Sequence, residues 1–225
     1  MLDSWISTFS TLLNGLGMTL ALTFIALTLG TVLAIVNTVA LTSSRVWVRG
    51  SIRVYLTLLT GTPLLVQIFL IYYGPGQFPW LKDSALWSLF SSPFFCAVLA
   101  LSLNCAAYTT LLFSGALSSI GRGQWDACAA LGLNHRQTLT VLLPYALRRA
   151  LPTYSNEMVL LLKGSALAST ITIMDIMGWA QRLNAQTYDT LRVFFAAGIL
   201  YLSLNLLLTG IMSLVERRML AFEHP

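Results

Sequence analysis

The chain has 225 residues, of which 56% are hydrophobic and 9% charged, with a formal net charge of +5. A soluble domain carries about 25% charged residues, so this composition excludes a soluble globular protein. Residues 4–44, 54–81, 84–121 and 193–215 contain no Asp, Glu, Lys or Arg, and each run exceeds the ~20 residues a helix needs to cross ~30 Å of hydrocarbon.

The chain therefore reads as an all-α, multi-pass membrane protein with little left over for an extramembrane head. Trp5, Ile6, Phe9, Leu12 and Leu13 recur at helical spacing and predict a short amphipathic helix in the membrane interface. The first span is predicted over 16–41. Arg45, Arg49 and Arg53 follow in a join, four apart. A second span runs over 54–73, kinked at Pro63 and closed by Gly74-Pro75-Gly76. Pro79, Lys82 and Asp83 mark an exposed loop, in which Trp80 and Trp87, like Trp179 further on, suit the outer interface. The third span covers 93–117, the fourth 154–173 and the fifth 193–214, with a long polar connection over 118–153.

Five spans place the termini on opposite sides. One side holds nine basic residues, in joins 42–53 and 118–153 and after the last span; the other holds three, Lys82, Arg182 and Arg192. The positive-inside rule then predicts the N-terminus out and the C-terminus in. The basic residues are thus topology signals, and no nucleic-acid partner is expected. Cys96, Cys105 and Cys128 lie in apolar surroundings without ligand spacing and read as packing residues. His135 and His224 lack a nearby Cys, His or carboxylate at ligand spacing, so no metal site is expected. The N-terminus has no basic region of a signal peptide, and no phosphate-cradling glycine loop is present.

Within the long connection, Gly123-Gln124-Trp125-Asp126-Ala127-Cys128-Ala129-Ala130-Leu131-Gly132 is followed by Leu142-Leu143-Pro144. The small residues favour a short helix that Gly132 ends, and Asn134 is placed to cap a second that Pro144 closes. Composition alone allows an ordinary amphipathic loop here. The segment also resembles the EAA loop of bacterial ABC importer permeases, with Asp126, Ala127, Gly132, Leu143 and Pro144 at the matching positions. Asp126 replaces the usual Glu, Cys128 the second Ala, and the interval from Gly132 to Pro144 is one residue shorter than the common pattern.

Gly61-Thr62-Pro63-Leu64-Leu65-Val66-Gln67, Ser102-Leu103-Asn104-Cys105-Ala106-Ala107-Tyr108 and Leu151-Pro152-Thr153-Tyr154-Ser155-Asn156-Glu157 extend the resemblance to the polar amino-acid branch of that family. Tyr72 to Pro79, Thr187-Tyr188-Asp189 and Glu216-Arg217-Arg218 are similar to the M-type permease subunits of arginine importers. The resemblance spans about residues 53–223. It implies a single permease domain of type I ABC importer fold in the bacterial inner membrane. It also implies a second permease subunit, sister chain or second copy; two cytoplasmic ATPase subunits docked on the 118–153 loop; and a periplasmic amino-acid-binding protein. The substrate implied is a polar, cationic amino acid, arginine first, with histidine, lysine, ornithine or glutamine as alternatives. This chain would bind no cofactor of its own, ATP and Mg serving the partner ATPase, and would perform alternating access rather than catalysis.

Independent of resemblance, Glu157 and Lys163 fall inside the predicted fourth span, where each charge costs about 2.5–3.5 kcal/mol on insertion scales. Either they line a substrate cavity or they pair privately. Six residues on a helix leave such a pair about 120° off-face, a poor geometry unless Gly164 and Ser165 break the helix. Asn104 and Tyr108, four apart on one face, can add neutral hydrogen bonds to the same cavity or serve interhelical packing. Asn156 is a further candidate, and Thr62 and Gln67 are weaker ones. Two other classes compete. An intramembrane enzyme using Tyr154, Asn156 and Glu157 lacks a second carboxylate or His at depth, and a self-contained channel leaves the glycine-centred connection unexplained.

Overall fold

The structure, a computed structural model, describes residues 2–220, so the expectation for His224 lies outside the described residues. Every regular element among them is helical. In chain order these are α1 (Leu2–Leu13), α2 (Leu16–Leu41), α3 (Val46–Gly61), α4 (Leu64–Tyr73), α5 (Pro79–Lys82), α6 (Trp87–Phe90), α7 (Pro93–Ser118), α8 (Arg122–Ala130), α9 (His135–Ser165), α10 (Ile176–Thr187) and α11 (Thr190–Leu220). Short 3₁₀ turns occupy Pro75–Gln77 and Ala166–Ile171.

Helix α7 is the hub, packing on α2, α3, α4 and α9. Its buried positions are mostly small: Cys96, Ala97, Ala100, Ser102, Cys105, Ala106, Ala107, Thr109 and Thr110. Inside a bilayer, lipid is as apolar as Leu, and helix association relies on close contact that small side chains permit. Gly30 of α2 shows how close: a Cβ there would lie 3.0 Å from Cys105 Cβ and 3.1 Å from the Ser102 carbonyl oxygen. A second core joins α1, α10 and α11 through Leu12, Ile176, Ala180, Val193, Ala196 and Ala197.

Three continuous stretches, Asp3–Leu41, Pro93–Ser118 and Thr190–Met219, are long and apolar enough to cross a membrane; two bent helix pairs raise the number to five if each is one span. The expected second span departs most from its prediction. Instead of a kinked helix there are two helices, α3 and α4, meeting at 107°. Thr62 and Pro63 are both extended, at φ −117, ψ 144 and φ −62, ψ 136. Pro63 forces the residue before it out of the helical region and offers no N–H to continue the ladder. The helix also starts earlier than predicted, so that Arg49 and Arg53 belong to α3 and Arg45 is its N-cap.

The predicted separate helix closed by Pro144 is likewise corrected. α9 runs unbroken from His135 to Ser165 through Pro144 and Pro152. Leu139, Leu142 and Ala146 bury around Pro144, against Leu117 and Ile120 at the end of α7, and this packing outweighs the lost backbone bonds. Finally, α1 is no free interfacial helix: Trp5, Phe9 and Leu12 pack against α10 and α11, while Ile6 and Leu13 stay exposed on the other side.

Candidate functional site

The break between α3 and α4 leaves polar backbone to satisfy. In an unbroken helix the Leu59 carbonyl would accept from residue 63, but that residue is Pro63. Gln67, one turn into α4 and only 6% exposed, fills the gap. Its Nε2 donates to the Leu59 carbonyl at 2.8 Å, the Thr62 carbonyl at 2.9 Å and Thr62 Oγ1 at 2.9 Å. Asn104 of α7 joins from across the interface, Nδ2 donating to Gln67 Oε1 at 3.0 Å and to the Leu59 carbonyl at 3.4 Å. One turn further, the Tyr108 hydroxyl donates to the Thr60 carbonyl at 3.3 Å.

Beside this network lies a cavity of about 140 Å³ lined by Leu64, Asn104, Cys105, Tyr108, Glu157, Leu160 and Leu161. The i, i+4 spacing of Asn104 and Tyr108 brings both to it from α7, and Glu157 enters from α9. Glu157 is half-buried, and among the described residues the ion pair found is Arg192 with Asp189, so Glu157 has no cationic partner there. A carboxylate between leucines with room for water beside it is open to a cationic ligand.

Asn156 and Lys163 do not join that cavity. They are seven residues apart and share a face about 100° from that of Glu157. Asn156 lines a separate groove of about 300 Å³ with Ser155, Thr209, Ser213 and Glu216, in which the Ser155 hydroxyl donates to the Glu216 carboxylate. Lys163 is exposed and sits in the last turn of α9, not mid-helix as the sequence suggested, where a cation favours the helix C-terminus. The helix stays intact through both residues, and they form no ion pair.

The connection between α7 and α9 also takes a definite shape. α8 ends in a Schellman motif: the Gly132 N–H donates to the Ala129 carbonyl at 2.9 Å and the Leu133 N–H to the Cys128 carbonyl at 3.1 Å, with Gly132 at φ +70. Asn134 caps α9 in a reciprocal box with Gln137, at 3.0 Å and 2.9 Å. Cys128 is buried against Leu117, Ile120, Leu139 and Leu142. Asp126 and Ala127 face outward, and Leu131 is 77% exposed. Leu143 is half-buried and Pro144 exposed. The result is a capped knob whose outer face is exposed.

Sequence reasoning ranked Gln67 low and passed over Asp175. Asp175 is fully buried and is the N-cap of α10, its Oδ1 accepting from the Gly178 N–H at 2.8 Å. An Asp before an apolar helical run was the available signal. For Gln67 the signal was Pro63 itself, which deprives a carbonyl four residues back of its donor.

A family model described as "Binding-protein-dependent transport system inner membrane component" matches residues 26–221. The chain is 52% identical over 215 residues to the arginine ABC transporter permease protein ArtM of Haemophilus influenzae, covering 96% of this chain and 95% of that one. It is 60% identical over 174 residues to the protein of the same name in Escherichia coli K12, covering 77% and 78%. Among solved structures, it is similar to a chain of an amino acid ABC transporter crystallised with histidines, at a TM-score of 0.85 and 29% identity, covering 97% of this chain and 98% of that one.

Proposed function

The chain belongs to the family of binding-protein-dependent transport system inner membrane components, as a permease subunit of an amino-acid ABC importer, and we propose that its substrate is a cationic amino acid, arginine first. Such a subunit is not an enzyme; a separate ATPase subunit performs the bond chemistry, using ATP and Mg. We assign residues 1–225 to one permease domain with five spans, the α3/α4 and α9/α10 pairs each counted once, N-terminus out and C-terminus in. A second permease subunit, two ATPase subunits and a periplasmic binding protein complete the importer.

The observation that carries the substrate assignment is Glu157, a carboxylate without a cationic partner, facing the same cavity as Asn104 and Tyr108. In alternating access the loaded binding protein and ATP bias a two-state equilibrium from opposite sides, and the cavity is where the cargo's positive group rests. Asn156 and Lys163, on another face of α9, serve the path at a second point, where an ammonium suits the amino acid's carboxylate. The knob takes the ATPase through Asp126, Ala127, Gly132, Leu143 and Pro144. The test is arginine uptake by the importer in proteoliposomes after Glu157→Gln, with histidine, lysine, ornithine and glutamine alongside. A fall of about tenfold or more for arginine, with glutamine little changed, is expected from loss of one charge-assisted bond. Unchanged arginine uptake would place the substrate elsewhere.

A further inference from the structure

The donors around the cavity are already committed. Backbone carbonyls can only accept, so the three oxygens grouped near Gln67, those of Leu59 and Thr62 together with Thr62 Oγ1, fix which end of the Gln67 amide is nitrogen. Thr62 Oγ1 is itself an acceptor here, because its proton goes to the Leu58 carbonyl at 2.7 Å. Gln67 Oε1 must then face Asn104, and since it accepts, the Asn104 atom opposite it must be Nδ2. Both donors of the Asn104 amide are directed into the α3–α4 break. Among the described residues its Oδ1 accepts no bond and is not among the buried unpartnered atoms, so it keeps accessible surface on a residue that lines the cavity. The Tyr108 proton is likewise committed to Thr60.

We propose that Gln67 is a specificity-determining positioning residue: through the Pro63 break it locks the Asn104 amide so that Asn104, like Glu157 and Tyr108, offers the cavity an acceptor. Three acceptors, Glu157, Asn104 Oδ1 and Tyr108 Oη, match a cationic group made of N–H donors and leave unpaired the carbonyl of a neutral isostere. A guanidinium has donors alone, whereas a urea of the same shape carries an acceptor oxygen that would meet Asn104 Oδ1 lone pair to lone pair. Gln67 touches no substrate in this scheme. Its role rests on the cavity being the substrate site, as assigned above.

The experiment is equilibrium binding of radiolabelled arginine to the assembled importer in nanodiscs, without binding protein, competed by arginine or by citrulline, its neutral urea analogue. In Gln67→Leu the Asn104 amide loses its anchor and can turn a donor to the cavity, so the preference for arginine over citrulline is expected to narrow by about tenfold. Thr62→Val removes one acceptor at the break but leaves the bond from Asn104 Nδ2 to Gln67 Oε1, and is expected to retain the preference. A residue that merely staples the break would give both variants the same ratio, so equal narrowing, or none in Gln67→Leu, overturns the proposal. Should Gln67→Leu fail to assemble, Asn104→Leu reads the same acceptor: a loss of arginine affinity with citrulline spared supports the proposal, and an equal loss of both overturns it. Glu157→Gln separates the two levels of the argument. If it weakens arginine while Gln67→Leu keeps the wild-type ratio, only this inference falls; if it leaves arginine binding intact, the cavity assignment falls and takes the inference with it.

Discussion

The Asp175 carboxylate accepts the Tyr201 hydroxyl at 3.2 Å, tying the N-terminus of α10 to the middle of α11. Around the same point the Ile176 N–H donates to Thr19 Oγ1 of α2 at 3.1 Å, and Gly15 lies against the Asp175 backbone so tightly that a Cβ would overlap it. The consecutive helices α10 and α11 therefore meet α2, distant in sequence, at one buried acid. Asp175→Ala would remove a cap worth about 1 kcal/mol and strand the Tyr201 hydroxyl at a similar cost, so a loss of about 2–3 kcal/mol is expected. Thermal unfolding of the purified complex checks it, with Tyr201→Phe expected to cost about 1–3 kcal/mol, since it leaves the buried Asp175 Oδ2 without that donor.

Gly132 holds φ +70 with nothing within 4 Å of where a Cβ would be. Substitution there is strained, not obstructed. Gly132→Val should cost about 1–3 kcal/mol of local backbone energy and loosen the end of α8. Gly132→Asn, a residue that tolerates the left-handed region, should be mild. Membrane insertion is expected to survive in both, while transport-coupled ATP hydrolysis falls, or the ATPase dissociates, in the Val variant alone. Wild-type uptake by Gly132→Val would reduce the knob to a connector.

Orientation is tested by labelling. Asp3 and Gln124 are both exposed, and the native Cys96, Cys105 and Cys128 are buried and free. In a background with those three changed to Ser, Asp3→Cys should react with an impermeant thiol reagent on intact cells, and Gln124→Cys only after lysis. Labelling in the reverse order would invert the topology and move α8 away from the ATPase.

How far the sequence was legible follows from what each signal depends on. The predicted spans give α2 and α7 nearly to their ends and the middle of α11, whose ends carry Arg192 and Glu216-Arg217-Arg218, because a membrane helix is read from length and composition. Gly132 and Asn134 were readable for the same local reason: a left-handed C-cap and an N-cap box involve residues within a few positions. Pro63, Pro144 and Pro152 were not readable as a set. Each carries the same local penalty, yet the first ends a helix and the other two lie within one, and tertiary packing distinguishes them: Leu139, Leu142 and Ala146 around Pro144, Ala150 and Tyr154 around Pro152. The cavity was half legible: helical spacing pairs Asn104 with Tyr108, but the meeting of Glu157 with them across α7 and α9 is tertiary. Two charges inside one predicted span suggested that Glu157 and Lys163 line one cavity, with a private pair as the alternative that their spacing disfavoured; among the described residues they neither share the cavity nor pair.

The separation of Glu157 from Lys163 makes a distinct prediction for the double variant. A private ion pair buried in a membrane would make each single neutralisation costly, because the remaining charge is left alone, and the double neutralisation would restore assembly. In this structure the two do not pair, and Lys163 is exposed at the C-terminal end of α9. Glu157→Gln and Lys163→Met should therefore each assemble, and their effects should combine with a coupling below about 0.5 kcal/mol, as for sites without shared partners. Their substrate profiles should also differ. On the proposed cavity assignment Glu157→Gln removes the carboxylate that meets the distal cation, so arginine is expected to suffer and glutamine to be spared. Lys163→Met removes a cation suited to the carboxylate that every amino acid carries, so arginine and glutamine should decline together. Expression and subunit stoichiometry of the four proteins, followed by uptake of the two amino acids, decide the matter. Rescue of assembly in the double variant would restore the ion pair, and identical profiles for the two single variants would mean that they act on one end of the substrate.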